Sequence, residues 1–264
     1  MVNLLVAAAI AVASPATAPA EPATDQPALF VVRDADTTVY IFGTFHALDG
    51  RAHWFGKQVR NAFEQSDELV LETLVPEQPI PGQFTQPLRA PSVTPSASFL
   101  ATTRLAINAG RAQGMQVGNG ADMVLRRVAE AEGKPVEGLE TLQLQIDMFN
   151  RIPGNAAGPR HGSPGQAETG GMDGLSKAMG DMQAAWKRGD QSVFVSMLSQ
   201  LQGASPETYR MMFTERNERW ADWIRARMQA PGTVFVAVGA GHLAGPDSLL
   251  VRLAQRGIPS QRVN

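Results

Sequence analysis

Thr38-Val39-Tyr40-Ile41-Phe42-Gly43-Thr44-Phe45-His46 stands near the start of the chain, and Thr233-Val234-Phe235-Val236-Ala237-Val238-Gly239-Ala240-Gly241-His242 near its end. Each is an apolar, β-branched run that breaks into a Gly-x-x-His turn, the signature of a buried strand ending in a sharp turn. The chain has 4 histidines, and two of them occupy this same context nearly two hundred residues apart. A fold that brings both strand ends to one rim makes a two-histidine site.

Around these runs the pattern is α/β. Residues 29–33 form a second β-rich run, joined to 38–42 by the turn signal Asp34-Ala35-Asp36, so a hairpin is expected. Trp54, Phe55, Val59, Ala62 and Phe63 recur at helical spacing over 54–65, and Glu68-Leu69-Val70-Leu71-Glu72 reads as a buried strand. Strand, helix, strand is the βαβ unit that makes neighbouring strands parallel. Helical patterns fill 98–109, 121–132, 139–150, 175–188, 191–201, 206–229 and 248–255. Proline and glutamine dominate 75–96, and glycine and proline crowd 153–171, so both read as loops. Four or five strands and more helices predict an α/β fold. Its central sheet is mixed but largely parallel and built from both ends of the chain, with a mostly helical insertion or cap over about 97–229. Methionines at 179, 182, 197, 211, 212 and 228 read as core filler.

Composition sets the remaining limits. With 264 residues and 44% hydrophobic content, residues 29–264 suffice for a single domain. A net charge of −2 gives no basic footprint for nucleic acid, and the lack of cysteine excludes disulfides and thiolate metal sites. Residues 4–13 are an apolar run too short to span a bilayer, and Ala18-Pro19-Ala20 offers small residues at a cleavage site. Residues 1–20 therefore read as a signal peptide and 21–28 as a linker, which implies a secreted or periplasmic protein with no membrane span after processing.

Ligands of parallel sheets bind outside the carboxyl ends of the strands. His46, Glu72 and His242 all fall at such ends. Two imidazoles and a carboxylate suit a divalent metal such as Mn, Co or Zn, with an open position for water. His53, in a loop entering a helix, and His161, in the Gly/Pro-rich loop, read as solvated.

The pattern Gly43-Thr44-x-His46, Glu72 closing the next strand, Gly138-Leu139-Glu140-Thr141 with Gln145, Thr214-Glu215-Arg216-Asn217 with Trp220, and Val238-Gly239-x-Gly241-His242-Leu243 resembles the TraB/GumN family. That family is related to the Tiki metalloproteases and, more distantly, to erythromycin esterases. The resemblance spans residues 28–263 and implies that His46, Glu72 and His242 belong to the site, joined by Glu140, Arg216 and Asn217. Arg216 and Asn217 are adjacent on one helix, so their side chains diverge by about 100° and would line one crevice from two sides. The resemblance implies a metal-dependent hydrolase of the bacterial envelope, acting on a peptide or small-molecule acyl bond, with Glu72 as ligand or general base. Two alternatives stay open. One is a metal-independent, esterase-like hydrolase with a histidine base and Arg216 as oxyanion stabiliser. The other is a binding or regulatory member without turnover.

Overall fold

The computed structural model describes residues 25–74, 108–151 and 168–264. The expected leader and the two loop-rich stretches lie largely outside them, as does His161.

Six strands form one sheet. β1 (Leu29–Arg33) and β2 (Thr37–Thr44) make the expected hairpin. At its turn the Asp34 carboxylate accepts from the backbone N–H of Asp36 and Thr37, closing an Asx turn. α1 (Lys57–Glu64) carries the chain to β3 (Glu68–Thr73). α2 (Ala121–Ala131) leads to β4 (Val136–Glu140). α3 (Leu142–Arg151), α4 (Glu168–Lys187), α5 (Ser192–Ala204) and α6 (Pro206–Tyr209) follow. A π-helical turn, Arg210–Thr214, runs into α7 (Glu215–Arg227). β5 (Gly232–Gly239), a 3₁₀ turn (Ala240–Leu243), α8 (Leu249–Gln255) and the two-residue β6 (Gln261–Arg262) close the fold.

The strand order is β4-β3-β5-β2-β1-β6. β4, β3, β5 and β2 are mutually parallel, and β1 is antiparallel to both its neighbours. The sheet is thus mixed and mostly parallel. β5 lies between β2 and β3, filling the place that the β2–α1–β3 crossover leaves open.

Both faces of the sheet are covered, which explains why β5 reads as an unbroken apolar run. Val234, Val236 and Val238 face Trp220, Ile224, Leu249 and Leu253 of α7 and α8. Phe235 and Ala237 face the opposite layer, with Phe42, Phe63, Trp54 and Trp186. There the Phe235 ring lies 5.9 Å from Phe42 and 5.6 Å from Phe63, and Phe42 stacks on Trp54 at 5.5 Å. Truncating such a fully buried phenylalanine costs about 3–5 kcal/mol. The buried Trp186 indole donates to the Gly43 carbonyl at 2.7 Å and ties α4 to the end of β2.

Two readings need correction. Residues 139 and 140, expected to begin a helix, end β4 instead, so the mostly helical stretch 97–229 also supplies an edge strand. The helix expected over 206–229 is interrupted by the π turn. Ser248 caps α8 by accepting from the Val251 N–H. Among the described residues no helix is long and apolar enough to cross a membrane.

Candidate active site

The parallel pairing of β2 with β5 sets Thr44 opposite Gly239, so the two Gly-x-x-His turns leave the sheet side by side. Next to them, β3 ends with Glu72-Thr73, and Thr73 pairs with Glu140 at the end of β4. Four neighbouring strand ends thus bring His46, His242, Glu72 and Glu140 to one rim. α7 adds Arg216 and Asn217, both buried.

Arg216 is the hub of this cluster. Its Nε donates to both Glu140 oxygens at 3.1 and 3.0 Å, and its Nη2 to Glu72 Oε2 at 2.7 Å. Its Nη1 reaches the Met212 carbonyl at 3.4 Å and His242 Nε2 at 3.2 Å. The guanidinium lies 4.5 Å over the Trp220 ring. Arg219 gives Glu140 a second cation at 3.1 Å.

These contacts fix the state of His242. A guanidinium only donates, so His242 Nε2 accepts and the ring proton sits on Nδ1. From there it is donated to Asn217 Oδ1 at 2.7 Å, while Asn217 Nδ2 donates to the Asp247 carbonyl at 2.8 Å, which sets the amide's orientation. The adjacent Arg216 and Asn217 therefore hold the two nitrogens of one ring. Phe213 and Trp220 flank that ring at 4.9 and 4.4 Å. Burial, together with the Arg216 charge, outweighs the pull of Glu72 and lowers the His242 pKa to about 3, so the imidazole is neutral.

Glu72 is held as an anion. Burial alone would raise its pKa, but Arg216, the histidines and the Gly239 N–H hold it well below the usual carboxylate range. That N–H donates to Glu72 Oε1 at 2.5 Å.

His46 differs from His242. Its Nδ1 lies 3.2 Å from Asp122 Oδ1, and among the described residues its Nε2 has no hydrogen-bond partner. Its side chain is 62% accessible, facing a cavity of about 550 Å³ rather than a packed wall. Enclosure by the cavity walls would lower the imidazole's pKa, but Asp122 and the charge on Glu72 outweigh it, and the pKa rises to about 9.

Two glycines allow this geometry. A Cβ on Gly120 would stand 2.3 Å from the His46 carbonyl oxygen, so only glycine lets α2 begin against the His46 loop and deliver Asp122. A Cβ on Gly239 would stand 3.1 Å from Glu72 Oε1, 3.3 Å from His46 Nε2 and 3.7 Å from His242 Cδ2. The space beside Gly239 is where the three side chains converge.

The six residues singled out in the sequence stand in this one cluster. As hydrogen-bonded, however, they do not fit a divalent ion. Both His242 nitrogens are engaged, Glu72 is shared between an N–H and a guanidinium, and Arg216 holds the position of a cation. Among the described residues no group of three or more His, Cys, Asp or Glu side chains is disposed to hold a metal. Asp122 and Arg219 are the members that the sequence did not reveal. Asp122 is 76 residues from His46 with no local pattern linking them, whereas Arg219 follows Arg216 at helical i,i+3 spacing. His53 is exposed, away from the cluster, and its backbone N–H donates to Asp25. Of the methionines read as core filler, Met228 is in the core and Met179, Met182 and Met197 pack against it, while these three and Met212 also line the cavity.

No curated protein and no solved structure matches the chain. The model of the TraB/PrgY/gumN family matches it over residues 28–91 and 83–262, nearly its whole length. The strand-end cluster is therefore set in a chain that belongs to the TraB/PrgY/gumN family.

Proposed function

We propose that the chain is a hydrolase of acyl bonds in which His46, oriented by Asp122, activates water without a metal ion. The observation that carries this reading is the His46–Asp122 pair, whose Nε2, without a partner among the described residues, faces the cavity beside Glu72. A carboxylate on Nδ1 fixes the ring and stabilises the imidazolium that forms when Nε2 takes a proton. His242 is held neutral and doubly hydrogen-bonded, and Glu72 is a weak base, which leaves the uncharged form of His46, whose share grows as pH rises toward 9, as the proton acceptor.

In the reaction, a water oxygen attacks the carbonyl carbon while His46 Nε2 takes one of its protons. The charge on Arg216 stabilises the negative carbonyl oxygen. Collapse breaks the carbon–oxygen or carbon–nitrogen bond, and His46 returns its proton to the leaving atom, giving an acid and an alcohol or amine. Glu72 and Glu140 keep the guanidinium in place throughout. Metal-dependent hydrolysis, expected from the histidine pair, would require Arg216 to release Glu72 and His242.

The test is hydrolysis of p-nitrophenyl butyrate by the purified chain before and after dialysis against a strong chelator. Activity should survive dialysis and fall by about 10²–10⁴ in His46→Ala and Asp122→Asn. Loss on chelation with recovery on adding Mn, Co or Zn would overturn the metal-free mechanism, and full activity in His46→Ala would overturn the base assignment. We also propose an envelope location, supported by the leader-like residues 1–20. Fusing residues 1–28 to a reporter that is active only after export tests it.

A further inference from the structure

Resting on that hydrolase reading, we infer that the substrate is an ester or amide of an apolar, medium-length acyl chain, and that the chain lies in the methionine-lined cavity next to His46. The cavity, about 550 Å³, is of the size that encloses a small ligand. Most of its charged groups gather at the sheet rim, where His46 pairs with Asp122 and Arg216 with Glu72, and Arg126 of α2, paired with Glu130, also borders it. Away from the rim its walls, among the described residues, are mostly apolar. Met179 and Met182 come from α4, Met197 from α5, Met212 and Phe213 from the π turn, and Phe149 from α3.

Two features favour an alkyl chain over a peptide. A peptide would bring backbone N–H and C=O groups along these walls, and each buried without a partner is costly. Gln145 and Arg126 offer polar groups there, but the methionine and phenylalanine side chains that make up most of the walls offer no strong partner. An alkyl chain needs none. Unbranched thioethers from separate elements also adapt to a flexible chain better than branched side chains do. With the alkyl chain among the methionines, the carbonyl lies at the rim, between His46 Nε2 and the Arg216 charge.

The discriminating experiment has two arms, both on the full chain. In the first, kcat/KM is measured for p-nitrophenyl acetate, butyrate and hexanoate. Each added pair of methylenes should raise it about fifteenfold, from about 0.8 kcal/mol per buried methylene. In the second, which needs no turnover, calorimetry compares octanamide with acetamide. Octanamide should bind at least about a hundredfold tighter, and Met197→Gln should weaken it about tenfold. A flat chain-length profile, or no preference for octanamide, overturns this inference while leaving the hydrolase reading intact. Faster cleavage of a peptide p-nitroanilide than of the hexanoate ester also overturns it. Octanamide binding with no turnover of any ester removes the hydrolase reading and leaves an acyl-chain pocket.

Discussion

Replacing Arg216 with methionine keeps much of the side chain's apolar volume against Trp220 and deletes the charge. Glu140, whose side chain is 2% exposed, would keep only Arg219, which reaches it from the solvent side. Among the described residues Glu72 would keep the Gly239 N–H and the charge of His46 but lose its guanidinium, and His242 Nε2 would lose its donor. Removing one partner from a buried ion pair costs about 3–5 kcal/mol, because the remaining charge stays out of water without compensation. At about 2–4 °C per kcal/mol for a chain of this size, Tm should fall by about 10 °C. The assay is denaturant unfolding followed by tryptophan fluorescence, run on Arg216→Met, Glu140→Gln and the double variant. If the cost is an orphaned charge, the double variant is more stable than Arg216→Met alone. Arg216→Lys should not restore stability, since one ammonium cannot bridge two carboxylates and a ring nitrogen in a plane. A loss below about 1 kcal/mol in Arg216→Met, or a double variant no better than the single, would refute the hub argument.

Four further expectations concern the same cluster. Gly239→Ala is conformationally permitted, with φ −53° and ψ 137°, but its Cβ presses on Glu72 and His46; kcat/KM should drop by about 10²-fold while stability changes by about 1 kcal/mol or less, and unchanged turnover would contradict the convergence on that space. Gly120→Ala must part α2 from the His46 loop, so NMR titration should show the His46 pKa falling from about 9 toward its ordinary value of 6.5. In wild type, kcat/KM should climb about tenfold per pH unit below pH 9 and then level off, and Asp122→Asn should shift that plateau downward; a profile flat from pH 6 to 9 would exclude His46 as the base. Stability should depend on pH in two directions, because His242 is depressed to about 3 and Glu72 lies below its usual value, so their contributions, complete above 6.5 and 4.5 respectively, are lost progressively as pH falls from there toward the depressed values, whereas the His46 contribution, complete below 6.5, is lost as pH rises through 9. Melting curves at pH 4, 6 and 9.5 check both limbs, and His46→Ala should remove the alkaline one.

The sequence carried much of this arrangement, for reasons visible in particular residues. β5 is apolar at every position from Val234 to Val238 because helices cover both its faces, and that is what an unbroken run records. β4 was hidden because it is a half-exposed edge strand whose leucine, Leu139, falls in helical step with Leu142 and Ile146. Donor types at strand ends pointed to the rim, but a list of donors does not say which are already spoken for. Arg216 settles that by geometry, reaching two carboxylates and a ring nitrogen that come from three separate strand ends. Asp122 was out of reach for a different reason, since its contact depends on how closely Gly120 packs against the His46 carbonyl.

The central position of β5 has a consequence for how the molecule comes into being. β5 follows β2 and β3 in sequence by well over a hundred residues yet lies between them, so the parallel core cannot close until residues 232–239 have been made. Pairings this distant in sequence close slowly. The same event docks His242 and Gly239 against Glu72 and His46, so assembly of the sheet and assembly of the cluster are one step. A nascent or truncated chain lacking residues 232–243 has His46 and Asp122 but lacks the strand that sets them beside Glu72 and supplies His242 to Arg216.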